Sequence, residues 1–102
     1  MKMIQQTKCS TCPHLRYEVE NEGVQSVFII PNDTGIPDLR KVLCLSGVSL
    51  FIWDSLENGK AFDDMCLEIS RKYETDLDMV RQDGQEYVQK LIENHYVNRL
   101  EQ

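Results

Sequence analysis

From His14 onward, apolar and polar side chains alternate along the chain. Leu15, Tyr17 and Val19 fall on one side, and Arg16, Glu18 and Glu20 on the other. Period two over seven residues predicts a strand that buries its apolar side. Asn21-Glu22-Gly23 supplies a turn, with Gly23 free to take a positive φ. Val24–Ile30, rich in β-branched and aromatic residues, predicts the return strand. The breakers of Pro31–Asp38 predict a loop, and a short third strand follows over residues 41–45.

Beyond Ser46 the period changes to that of a helix. Ser46 stands at an N-cap, and a helix runs from it to about Leu56, where Asn58-Gly59 ends it. A second helix is predicted from Phe62 to Tyr73, with Phe62, Met65, Cys66, Ile69 and Tyr73 on one face. Asp63 and Asp64 open it and Arg71 and Lys72 close it, the order that the helix macrodipole favours. A third, capped by Asp76, reaches Asn94, with Leu77, Val80, Gly84, Tyr87, Val88 and Leu91 as its inner stripe. Asn94 is expected to stop it in a left-handed conformation, after which Tyr96-Val97 turn back onto the core.

This order defines an α+β domain, a three-stranded antiparallel sheet followed by three helices. It is the economy of a winged helix-turn-helix-like protein. Residues 1–12, polar and without a period, are expected to form a mobile tail ahead of a domain over residues 13–100.

At 102 residues there is room for one domain. The longest apolar runs, Val27–Ile30 and Leu50–Trp53, are far below the ~20 residues of a membrane span. Met1–Gln6 has no apolar signal-peptide core, so the expectation is a cytoplasmic protein with reduced thiols. The net charge of −6 lies entirely beyond residue 45. That acidity disfavours nucleic acid, whose affinity for proteins rests on Lys and Arg.

Four cysteines stand at 9, 12, 44 and 66. Cys9 and Cys12, with His14 close by, make a C-x-x-C pair that zinc or redox chemistry could use. No second pair completes a metal site, and the preferred reading is an exposed tail pair with Cys44 and Cys66 as small core residues. No phosphate-binding, dinucleotide or zinc-protease motif is present. The adjacent carboxylates of Asp63 and Asp64 diverge by about 100° on a helix. The chain therefore reads as non-catalytic, with no cofactor and no metal.

Binding has more to work with. The third strand begins with Arg40-Lys41 and lies at a sheet edge, where unpaired N–H and C=O groups can take up another strand. The same edge leaves open pairing with a second copy as a homodimer. Gly84, in mid-helix, costs ~1 kcal/mol against alanine. It marks either close packing on the sheet or a depression for a partner's side chain. Trp53 reads as core.

The stretch Leu45-Ser46-Gly47-Val48-Ser49-Leu50-Phe51-Ile52-Trp53-Asp54-Ser55-Leu56-Glu57-Asn58-Gly59-Lys60 resembles the L-N-x-x-x-x-x-I-W-x-L-L-x-x-G-K segment of PqqD-like proteins. The resemblance continues through Phe62-Asp63-Asp64-Met65, Ile69, Tyr73, Asp83, Tyr87-Val88, Leu91 and Tyr96-Val97, covering residues 38–97. Ser46, Ser55, Gly84 and Asn94-His95 depart from it. The resemblance implies a peptide chaperone, a winged-helix domain that recognises the leader region of ribosomally made precursor peptides in natural-product biosynthesis. It implies strand addition of that leader to the third strand, in a cleft beside the third helix, and delivery to a modifying enzyme, often a radical SAM enzyme. Carried over, the peptide-binding residues are Lys41, Val42, Leu43 and Cys44 on the strand, and Val80, Asp83, Gly84, Tyr87 and Val88 on the helix. The competing reading of the same architecture is a winged-helix transcription regulator that binds DNA.

Overall fold

A computed structural model describes residues 9–32 and 35–99 of the chain. Strand β1 (Cys9–Thr11) is followed by β2 (His14–Asn21), β3 (Val24–Pro31) and, after a 3-10 turn at Leu39–Lys41, β4 (Leu43–Ser46). Helices α1 (Gly47–Glu57), α2 (Phe62–Lys72) and α3 (Leu77–Glu93) come next, and β5 (Val97–Arg99) ends the fold. The architecture is α+β, with β2, β3 and β4 forming a three-stranded antiparallel sheet in that order. A second sheet, of two strands, pairs β1 with β5.

The β2–β3 hairpin closes as its sequence dictates. Glu22 (φ 54°) and Gly23 (φ 80°) are both left-handed, the geometry of a two-residue turn whose twist matches the flanking strands. The burial of β2 runs opposite to its alternation. Register sets Arg16 across from Ile29 and Glu18 across from Val27. Ile29 and Val27 are wholly buried beneath the helices, so Arg16 and Glu18 share the helix side. Leu15, Tyr17 and Val19 lie on the outer side, where Tyr17 is 54% and Val19 46% exposed. At the helix side Arg16 donates to Asp54 of α1 at 2.8 Å, and that bond, outweighing partial burial, raises the guanidinium pKa.

The helices deliver the core: Ile52, Trp53 and Leu56 from α1, Phe62, Met65, Cys66 and Ile69 from α2, and Val80, Val88 and Leu91 from α3. They close on Val27, Ile29 and Leu45 of the sheet. Ser55, an unusual polar residue in this layer, is satisfied by donating to Phe51 O at 2.8 Å, the back-bond open to a helical serine. Trp53 is fully buried, with the His14 ring edge-on at 5.3 Å.

Several expectations are corrected. Cys9 and Cys12 are buried, 4% and 3% exposed, because β1 pairs with β5 and the Cys12 N–H donates to Tyr96 O at 2.8 Å. The expected mobile tail therefore does not extend to residues 9–12, and its first eight residues lie outside the described residues. Cys44 is exposed and not a core residue, since it faces outward beside Phe28. Cys66 alone of that pair is in the core. The third strand begins at Leu43, not at Lys41, because Asp38 accepts the Arg40 N–H and winds residues 39–41 into a 3-10 turn. At the end of α3 the left-handed residue is His95 (φ 65°), one position beyond Asn94. Asp76 occupies the N-cap of α3 without a side-chain cap bond.

Candidate functional site

Edge strand β4 and helix α3 frame the site. The alternation of an antiparallel ladder decides which β4 groups are free. The Ser46 N–H donates to Ser49 Oγ at 3.0 Å and so turns away from β3. Two residues back, Cys44 has the same orientation, and its N–H and C=O point to the open edge. Leu43 and Leu45 point theirs at β3 instead. Leu45 is fully buried. Ser46 is already engaged, because Ser49 Oγ also donates back to Ser46 O at 2.7 Å.

Residues before and after β4 contact α3 and the segment that follows it. Before the strand, Lys41 Nζ donates to Asn94 O at 3.0 Å, and the Tyr96 hydroxyl donates to Lys41 O at 2.9 Å. The Lys41 ammonium also sits over the Tyr96 ring, 5.3 Å from its centroid, a cation–π contact. After the strand, Ser49 meets Tyr87 of α3 at the start of a groove of about 620 Å³.

This groove lies between the three helices. Val48, Ser49 and Ile52 of α1 form one wall, Ile69, Tyr73 and Thr75 another, and Val80, Asp83, Gly84 and Tyr87 of α3 the third. Asp83 is the single charged side chain among these lining residues. Burial raises the Tyr87 hydroxyl pKa, partly offset by the nearby Ser49 hydroxyl, so Tyr87 is a neutral donor at physiological pH. Gly84 is buried, and a Cβ built on it would lie 3.4 Å from the Phe62 ring. The glycine does not pack on the sheet: it faces Phe62 and Cys66 of α2, where a Cβ would make an ordinary contact, and it lines the groove.

The nine sequence-derived residues fall into three groups. Val80, Asp83, Gly84 and Tyr87 share the groove. Leu43 and Cys44 belong to β4, while Lys41 and Val42 precede it. Val88 is fully buried and lies beneath the surface as core. The α1 and α2 walls were not among those residues. Their signal was present: Val48 and Ile52 stand one helical turn apart, and Val48 and Tyr73 remain 40% and 38% exposed.

Outside the groove α3 is acidic. Asp78, Glu86 and Glu93 are exposed beside Lys90, adding to Asp83 at the groove, and Arg81 is drawn to Asp63 at 3.1 Å. No group of three or more His, Cys, Asp or Glu side chains among the described residues could hold a metal ion. Among those residues no helix is long and apolar enough to cross a membrane.

The molecule is thus an α+β domain with an open strand edge beside a helical groove. It belongs to the PqqD family: residues 31–97, well over half of the chain, match the family described as Coenzyme PQQ synthesis protein D. Searches of the curated proteins and of the solved structures give no match.

Proposed function

We propose that this chain captures the leader region of a ribosomally made precursor peptide and presents it to a modifying enzyme, of the radical SAM kind that the PqqD-like resemblance implies. The leader adds as a strand to the β4 edge beside α3, within a winged helix-turn-helix-like arrangement, and the chain performs no reaction of its own. The observation that carries this reading is an apolar groove of about 620 Å³ that starts at Val48 and Ser49, just beyond the β4 edge on which the Cys44 N–H and C=O face outward. Main-chain hydrogen bonds at Cys44 hold the peptide, and apolar side chains entering beside Gly84 and Tyr87 select it. Because the free run of β4 is short, most of the selectivity comes from the groove. A basic residue in the leader finds Asp83 at the rim. The exposed acidic groups of α3 weigh against the DNA-binding reading, since they repel a phosphate backbone.

An amide-shift titration tests this, using labelled protein and leader segments encoded beside its gene. Saturable shifts confined to residues 41–52, 69–75 and 80–88 are expected. Shifts with duplex DNA, and none with any neighbouring peptide, would replace this reading by that of a regulator.

A further inference from the structure

The sheet has a second edge, and β2 forms it. This strand is eight residues long, has β3 as its one partner among the described residues, and contains neither proline nor bulge from His14 to Asn21. Such an edge invites pairing unless it is guarded. Its residues Glu18, Val19, Glu20 and Asn21 are all exposed.

Two observations fix which of its groups are free. In a two-residue hairpin the flanking pair, here Asn21 and Val24, exchanges hydrogen bonds. At the other end the Asn32 N–H donates to Pro13 O at 2.9 Å, which continues the same alternation. Odd-numbered residues of β2 therefore point their N–H and C=O at β3. His14, Arg16, Glu18 and Glu20 point theirs at the open edge.

We infer that this edge pairs with the β2 edge of a second copy, antiparallel, about a two-fold axis at Tyr17. That register sets Arg16 opposite Glu18 of the partner subunit and His14 opposite Glu20 of the partner subunit, each twice by symmetry. All four pairs join residues with outward main-chain groups, so each can exchange two hydrogen bonds. Leu15 then faces Val19 of the partner subunit, and the two Tyr17 rings meet on the axis. A one-residue slip destroys the hydrogen bonding, because it matches outward groups with inward ones. A shift of the axis to Glu18 or to Arg16 sets two like charges directly opposite, which is unfavourable. The charges that would otherwise guard the edge are thus complementary to themselves in one register.

The same face explains why a chain of net charge −6 can meet its copy. On the outer side, β2, β3 and β4 present Leu15, Tyr17, Val19, Phe28, Ile30 and Cys44, with no charged residue among them. Pairing through β2 makes one six-stranded sheet and leaves both β4 edges open at its ends. The inference is separate from peptide capture, which uses the opposite edge, and either can fail alone.

Sedimentation equilibrium of the full chain reads the result. The expected mass is twice 11.9 kDa. Glu18→Pro removes an N–H aimed at the partner and not at β3, and Glu18→Lys places an ammonium opposite Arg16. Each is expected to raise the dimer dissociation constant about tenfold or more, with unchanged far-ultraviolet circular dichroism. Should the proline variant fail to fold, the lysine variant decides. In a Cys44→Ser background, Tyr17→Cys is expected to cross-link to itself under mild oxidation, since its Cα atoms would approach to about 4.5 Å. Val19→Cys, which faces residue 15, should not cross-link. A chain that sediments as a monomer at the highest attainable concentration overturns the inference. So does a dimer that survives Glu18→Lys, or one in which Val19→Cys cross-links as readily as Tyr17→Cys.

Discussion

Two cysteines show how far one side chain's behaviour depends on its surroundings. Cys66 is fully buried, and loss of solvation pushes its thiol up to about 11, Asp63 adding to the rise. Cys44 stands exposed on the sheet's outer face. A thiol reagent at neutral pH is expected to label native protein rapidly at Cys44, and Cys44→Ser should abolish that fast phase. The folded state keeps the Cys66 proton that the unfolded chain releases near the ordinary value of 9.0. Its contribution to stability is therefore complete below pH 9.0 and lost as the pH climbs to about 11. Denaturant melts across that window should show the slope, and Cys66→Ala should reduce it, leaving the part due to Tyr87 and Tyr96, whose hydroxyl pKa values burial also raises. At Gly84 a methyl group meets Phe62 at an ordinary contact distance of 3.4 Å. Gly84→Ala is expected to stabilise α3 by up to ~1 kcal/mol in a thermal melt. Gly84→Leu would instead occupy the groove and weaken peptide binding about tenfold.

Among the elements, β4 gives the sharpest test of orientation. Leu45→Pro removes a hydrogen bond to β3 together with a buried leucine, and should cost ~3 kcal/mol or more. Cys44→Pro removes an N–H that points outward, so it should retain the fold while losing the peptide-induced amide shifts. Equal destabilisation by the two variants would contradict the assigned alternation. Helices α1, α2 and α3 were legible because each carries an apolar stripe over several turns. The start of β4 was not, because Asp38 diverts residues 39–41 into a tight turn that no hydrophobic period records. Strand β5 is not legible for a different reason. Three residues are too few for a period, and its pairing with β1 joins segments almost ninety positions apart.

At the scale of the whole molecule, charge is distributed against one class of partner. The acidic excess falls in the helical half and leaves α3 with exposed carboxylates, so a gel-shift titration with duplex DNA at low salt is expected to show no binding. The sequence by itself determined the order of three strands and three helices, the hairpin turn, and most of the apolar residues that the helices bury. These follow from short-range periodicity and turn chemistry, which act between neighbours along the chain. The cluster Val80, Asp83, Gly84 and Tyr87 was legible for the same reason, as positions on one helix. Which face of β2 meets the core was decided only in three dimensions. Alternation distinguishes two faces but does not say which one the helices cover, and here Arg16, bonded to Asp54, takes the helix side while Tyr17 faces outward. The burial of Cys9 and Cys12 and the α1 and α2 walls of the groove were likewise settled by tertiary contact, because each depends on segments that meet only once the chain has folded.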